Sequence, residues 1–373
     1  MKLLPWVLAG VAASPMAAQA FETRLNGFIS VGAGMTLQED QKYITDPANF
    51  NSQFVNELSI KPDTMVAIQS MSTVNDRLSA TAQLTGYATS DFGVKFEWAY
   101  VNYELFNDVD LKFGRIRMPI YNYSSSLDLG YSYVWIRPPV DLYNVFLTSL
   151  EGISADYEFS LGNWYGTATG YFGETDGVDP ETSSEVVFDS ILGGIVQLEN
   201  GSFSLRGSYS HDDDITITRQ DSSQFNMPIA FSSASALYDN GSLLLNAEYT
   251  LTQFLENEDG VKLNNNEAAW YATAGYRVGS FTPHFTLSSF KQLGTSSVEY
   301  GPVSAKDYLQ DVSSWTAGVR WDFDIAAALK VEYTSRTDNS EYLPSAVQQL
   351  VNPSFIQPFT DAQVISVAVD VVF

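Results

Sequence analysis

The stretch VISVAVDVVF, Val364–Phe373, alternates without a break. Ile365, Val367, Val369 and Val371 share one parity, and Ser366, Ala368 and Asp370 occupy the other. Successive side chains of a strand point to opposite faces, so this is strand spacing. A strand formed from the last residues must pair with one already made. The first candidate is the alternating segment near Thr23, TRLNGFISVGAGM, where Leu25, Gly27, Ile29, Val31 and Ala33 stand opposite Arg24, Asn26 and Ser30.

Composition narrows the classes. The chain has 373 residues, formal charge −25, 14% aromatic residues, 45% hydrophobic residues and no cysteine. That apolar content belongs to an ordered protein rather than an acidic tail. The negative charge argues against a nucleic-acid partner, which needs basic stripes. Lack of cysteine excludes a disulfide framework, a thiolate zinc site, a cysteine nucleophile and a lipid-modified cysteine.

Residues 1–20, MKLLPWVLAGVAASPMAAQA, combine a basic Lys2, an apolar run from Leu3 to Ala13 and a small-x-small step at Ala18-Gln19-Ala20. This reads as a secretory signal, with residues 21–373 forming one mature domain. No later apolar run reaches the roughly 18 residues of a membrane helix. The exported protein is periplasmic, secreted or a membrane barrel.

From Phe21 onward, short alternating segments follow one another with no sustained helical period, so the chain is all-β. RLSATAQLTGYA places Leu78, Ala80, Ala82 and Leu84 opposite Arg77, Ser79, Thr81 and Gln83. VKFEWAY places Val94, Phe96, Trp98 and Tyr100 opposite Lys95 and Glu97. Across the chain the polar parity collects Arg206, Glu248, His284, Arg320, Asp322, Lys330, Glu332 and Arg336, while the apolar parity is almost free of charge. Tyr and Trp recur near segment ends (Trp98, Tyr100, Trp164, Tyr209, Tyr249, Tyr276, Trp321), where interfacial girdles would want them.

Alternation fits both a soluble sandwich, whose apolar face is a core, and a membrane barrel, whose apolar face meets lipid. Connection lengths separate them. Short turns at TVND, FNDV, SLGN, ENG, DNG, VGS and DIAA alternate with longer acidic segments near 37–54, 174–185, 212–228, 255–266, 292–311 and 338–361. Short turns on one side and long loops on the other is the asymmetry of an outer-membrane barrel. The segments number about 16, an even count that puts both ends on one side and lets the last strand close against the first. NELSIKPDTMVAIQSM is the weakest of them. Pro62 and a slipped parity imply a bulge or a strand start near Thr64.

At LKFGRIRMPIYNYSSSLDLGYSYVWIRPP the sequence resembles the general porins of Gram-negative bacteria. Phe113-Gly114-Arg115 stands at the end of the fifth expected strand, and about 35 residues follow before the next one, a length that suits a functional insertion. The resemblance implies an outer-membrane channel passing small hydrophilic solutes and ions by passive diffusion, constricted by a loop (residues 115–150) folded into the lumen. It implies partners in outer-membrane lipid, lipopolysaccharide and the barrel-assembly machinery that reads the last strand, leaves a homotrimer open, and calls for no cofactor. TSDFG is short for the connection that latches neighbours in trimeric members, and WIRPPVDLYN stands where enterobacterial members carry an acidic segment.

The resemblance assigns Arg115 to a basic cluster opposite acidic residues of the loop. Arg117, Lys112, Asp128 and Arg137 are the further constriction candidates, with ion pairing inside the loop as the alternative for Asp128 and Arg137, and parity places Lys95, Glu97, Arg206 and Arg320 on the lumen. Parity makes Lys112 inward but aims Arg115 and Arg117 outward with Phe113. An arginine facing lipid at mid-depth costs about 2–4 kcal/mol, so a bulge at Gly114 or an end to the strand is expected to turn both inward.

Two features pull selectivity in opposite directions. The acidic outer segments (Glu39, Asp40, Glu174, Asp176, Asp179, Glu181, Asp212–Asp214, Glu256, Glu258, Asp259) favour cations, and a basic cluster deeper in favours anions. Tyr121, Tyr123, Tyr131, Tyr133, Trp135 and Tyr143 could guide a sugar or pack the loop. A substrate-selective channel for sugars or organic anions is the alternative function. HDDD lacks the ligand spacing of a metal loop. A barrel enzyme would have to use His211 or His284, and neither sits in a recognisable catalytic set. An adhesin needs only exposed loops.

Overall fold

The computed structural model describes residues 22–46, 49–144, 147–180, 183–256, 266–293, 297–300, 303–306, 310–340 and 360–373. The expected signal segment, and Glu181, Glu258 and Asp259, lie outside them.

Sixteen antiparallel strands form one closed sheet. They are β1 (Glu22–Thr36), β2 (Met65–Asn75), β3 (Leu78–Tyr87), β4 (Val94–Phe106), β5 (Val109–Arg117), β6 (Ser149–Leu161), β7 (Trp164–Val178) and β8 (Glu185–Asn200). The second half continues with β9 (Phe203–Asp212), β10 (Ile229–Asp239), β11 (Leu243–Phe254), β12 (Asn266–Tyr276), β13 (Phe281–Leu293), β14 (Asp311–Asp324), β15 (Ala327–Asp338) and β16 (Ala362–Val372). Each pairs with its chain neighbours, and β16 closes against β1 from Phe28↔Val372 to Thr36↔Val364. Reciprocal bonds between Gly27 and Phe373 extend that seam. Closure leaves no strand edge, the condition for a sheet in hydrocarbon. No described helix is long and apolar enough to cross a membrane.

The connections keep the expected asymmetry. Turns at residues 76–77, 107–108, 162–163, 201–202, 240–242, 277–280 and 325–326 lie at one rim. Longer segments lie at the other, interrupted by two six-residue links, 88–93 and 179–184, the second shorter than the expected 174–185 because strand runs on to Val178 and resumes at Glu185. β2 begins at Met65, directly after the Thr64 start inferred from Pro62.

Alternation is read out as two faces. On β16, Ile365 and Val367 are exposed outside, whereas Ser366, Ala368 and Asp370 are buried inside. The parity of VKFEWAY fails, however. Gln83 pairs with Trp98 and Leu84 with Phe96, so Glu97 is an extra residue on β4. This bulge keeps Phe96 outside but turns Trp98 and Tyr100 into the lumen, removing both from the expected girdle. Tyr209, Tyr249, Tyr276 and Trp321 do stand exposed on the outer face.

Candidate functional site

The described residues of the segment 118–148, between β5 and β6, cross the lumen. They carry an apolar cluster of their own, including Ile120, Tyr121, Tyr133, Trp135, Leu142 and Tyr143, packed against Tyr171, Ile195, Phe231 and Tyr271 on the wall. Rings meet edge to face: Trp135 lies 5.4 Å from Tyr271 at 87°, and Tyr121 lies 5.4 Å from Phe231 at 86°. Such pairs add about 0.5–1.5 kcal/mol beyond the area they bury. The loop tyrosines therefore pack the loop, and they show no ladder along a path.

A crossing segment without regular structure leaves its backbone groups to be paired. Inward polar side chains of the wall pair many of them. Arg206 donates to the carbonyls of Pro119 and Ile120, and Ser208 and Ser233 each donate to Ile120 at 2.8 Å. Arg320 donates to the carbonyls of Tyr131 and Tyr133, both at 2.7 Å, and Lys330 to that of Gly130 at 2.6 Å. Glu248 accepts from the Asn122 amide at 2.7 Å and the Tyr143 hydroxyl at 2.8 Å. Glu332 accepts from the Ile136 amide at 2.8 Å. One ionic pair also ties the loop to the wall, Arg336 to Asp141 at 2.9 Å, and Lys330 is itself held on the wall by Asp370 at 2.9 Å.

The expected constriction cluster divides. Arg117 ends β5 and turns inward, donating to Glu97 at 2.7 Å and Asp128 at 2.8 Å, while Tyr87 donates to the other Asp128 oxygen at 2.7 Å. The bulge described above brings Glu97 into this group. Lys112 faces the lumen and pairs with Asp156 at 2.7 Å under the Tyr100 ring. Lys95 pairs with Glu97 at 2.7 Å and remains exposed.

Arg115 corrects the expectation. Gly114 has φ +127°, yet the pairing of β5 with β4 and β6 runs on without a shift, so no bulge reorients the next residue. Arg115 stays on the outer face beside Phe113 and pairs with Glu151, near the outward Glu174 and Asp176 of the long-loop rim. The ion pair there removes the cost that had argued for an inward side chain. Arg137 is a second correction. It is sealed between two connections, paired with Asp63 and lying over the Tyr43 and Phe54 rings, and does not line open space. Burial opposes its charge, but Asp63 prevails and holds its pKa above the usual arginine value. Arg206 and Arg320 do face inward, where loop carbonyls occupy them.

Sequence reasoning passed over the anchors Asp63 and Asp141, and named Glu248, Lys330, Glu332, Arg336 and Asp370 only as residues of the polar parity. The available signal was charge collected on one strand parity, which marks the inner face but does not say what it will touch. His284, inward and buried, stands 3.6 Å from Glu332, and His211 pairs with the exposed Asp213 at 2.7 Å. Neither belongs to a nucleophile–base set among the described residues.

Two cavities flank the loop. The one toward the short-turn rim measures about 440 Å³ and is bordered by Asn26, Gln69, Trp98 and Asp128. The one toward the long-loop rim measures about 290 Å³.

No family model matches the sequence, and no curated protein proves similar to it. Solved structures do match in fold. The outer membrane channel DcaP of Acinetobacter baumannii gives a TM-score of 0.63 at 10% identity, covering 96% of this chain and 99% of that one. The anion-selective porin of Comamonas acidovorans gives 0.59 at 13%, over 95% and 100% of the two chains. OmpF of Salmonella typhi gives 0.58 at 14%, over 94% and 97%. Identities this low establish the architecture: a closed barrel of the kind outer-membrane porins have.

Proposed function

We propose that the protein is an outer-membrane channel for small hydrophilic solutes and ions, and that residues 118–148 make it a narrow one. The observation that carries this reading is the loop lying across the lumen, bonded to the wall on both sides. A pore discriminates at its narrowest section, and here that section is packed. In this reading lipid and lipopolysaccharide meet the apolar outer face, and the assembly machinery reads β16. A homotrimer would have to form without a long β3–β4 connection.

Selectivity follows from the charge left over. Of the inner basic groups, Arg117 is matched by Glu97 and Asp128, Lys112 by Asp156 and Arg137 by Asp63, Arg206 is taken up by the loop carbonyls of Pro119 and Ile120, and Arg115 is outside. The acidic outer vestibule therefore favours cations.

Planar-bilayer recording of the refolded mature protein tests both statements. Small steady openings with a cation-biased reversal potential are expected, and replacing residues 122–142 by a short Gly-Ser link should raise conductance severalfold. A folded barrel that conducts in neither form would end the channel reading. Unchanged conductance after the replacement would remove the loop from the constriction.

A further inference from the structure

The inner face of this barrel is polar over most of its area, but not above the loop on the β8–β13 side. Phe188, Ile229, Phe231, Phe254 and Phe290 line the cavity on the long-loop side. Phe231 and Phe290 are accounted for by packing beneath, since both belong to the apolar cluster of the loop. Ile229 and Phe254, paired across β10 and β11, do not belong to it. Their apolar surface borders the space above. Apolar surface kept in contact with water costs about 25 cal/mol per Å², so an inward apolar wall suits a pocket that receives apolar matter.

The polar lining is one-sided. Asp179, Asp212 and Glu267 border the same cavity, with His211 beside them turned to Asp213, and no lysine or arginine does among the described residues. Asp212 is held in place by the Ser190 amide and hydroxyl, and Glu267 accepts from the Gln292 side-chain amide at 3.2 Å. These carboxylates are positioned, not swinging in solvent. A concave apolar wall with a few fixed polar groups of one sign is the pattern of a small-molecule site.

We infer that this vestibule cavity binds small organic cations, molecules with an aromatic or branched aliphatic body and one protonated amine. The body lies against Ile229 and Phe254, and the ammonium points to Glu267 and Asp212. The volume of about 290 Å³ admits a molecule of one aromatic ring and a short side chain. The inference rests on the channel reading for its purpose, since the cavity sits where a solute would wait before the loop, but binding itself does not require conduction.

The test is therefore equilibrium binding, by calorimetry, to the full mature protein in lipid nanodiscs, with 2-phenylethylammonium as the probe and phenylacetate and ethylammonium as controls. Saturable binding of the probe is expected, with both controls at least about tenfold weaker, the difference made by a charge of the wrong sign or by a missing ring. Phe254→Ser should weaken the probe about tenfold, and Glu267→Gln should narrow its margin over phenylacetate. Both side chains are only partly buried, and barrel closure is checked by heat-modifiable gel mobility. No saturable binding by a closed barrel, or equal affinity for probe and phenylacetate, overturns the inference. So does affinity that Phe254→Ser leaves unchanged. Conductance recorded on the same preparation separates these outcomes from failure of the channel reading, because a conducting barrel that ignores the probe refutes the site alone.

Discussion

Leu287 and Ser288 are consecutive residues of β13 and live in opposite solvents. Leu287 is 44% exposed on the outer face, beside Trp315, while Ser288 is 7% exposed on the inner face and donates to Asp141 at 2.7 Å. In a soluble protein the leucine would be buried and the serine wet. The reversal has two separate causes. Outside, apolar side chains belong against lipid, and the sheet needs only to hide its backbone there. Inside, the polar face is buried because residues 118–148 lie on it, and their carbonyls, amides and carboxylates take the hydrogen bonds that water would otherwise take. The inner face therefore behaves like a polar protein core, in which each removed partner leaves a stranded group.

The largest expected effect lies on that inner face. Asp141→Ala removes the carboxylate that pairs with the buried Arg336 and accepts from Ser288. Breaking one side of a buried pair costs about 3–5 kcal/mol. Because the pair joins loop to wall, the loss should appear as a loosened loop in a barrel that still closes. Protease cleavage within residues 118–148 should rise, with a higher, noisier single-channel current and unchanged heat-modifiable mobility. Lipid-facing Leu287→Arg should do the reverse. It costs about 2–4 kcal/mol at mid-depth, read as a lower urea midpoint for folding into vesicles, and leaves the conductance of folded channels as it was. If the two variants produced the same phenotype, the two faces would not be governed by separate physics.

Gly114 sharpens the boundary between the faces. Its φ of +127° lies where side chains are strained, and a Cβ there would run into the carbonyl of Ala99 on β4. Gly114→Ala should cost about 1–3 kcal/mol in the same urea measurement. The strain falls between Phe113 outside and the Arg117 group inside, so the Arg117 contacts with Glu97 and Asp128 are expected to weaken as well.

How much of this was legible beforehand differs by element. β16 and its closure could be read from Val364–Phe373, because lipid on one side and polar contacts on the other enforce strict parity over many residues. The start of β2 was legible from Pro62. The Glu97 bulge was not. A bulge is a property of two strands, and neither VKFEWAY nor RLSATAQLTGYA alone shows that Gln83 will face Trp98 and Leu84 will face Phe96. Arg115 was misjudged for a related reason: the argument from lipid cost treated the side chain as alone, whereas Glu151 arrives from β6, more than thirty positions away. The position and length of the inner loop were visible, and its contacts were not, since Trp135 with Thr286 or Ile136 with Glu332 are pairings that only the closed barrel brings about.

The smallest effect at neutral pH is the one that alkali should reveal. Tyr121, Tyr133 and Tyr143 all lie in the loop, and burial raises their phenol pKa values well above the ordinary 10.0, with a further rise from Glu248 beside Tyr121 and Tyr143 and from Asp370 beside Tyr133. In the unfolded chain these phenols ionise near their ordinary value, and in the folded barrel they resist. Below about pH 10 both states hold the protons, and the contribution of these groups to stability is complete and constant. Above it the unfolded state binds fewer protons than the folded one, so stability falls as pH rises toward the folded values. Absorbance titration at the phenolate band should show the ionisation of the loop tyrosines delayed well beyond pH 10 and then released together with a rise in conductance. Ionisation of all tyrosines in one step near pH 10, with the current unchanged, would mean that the loop leaves its tyrosines in water and that the inner face is not the closed polar core described above.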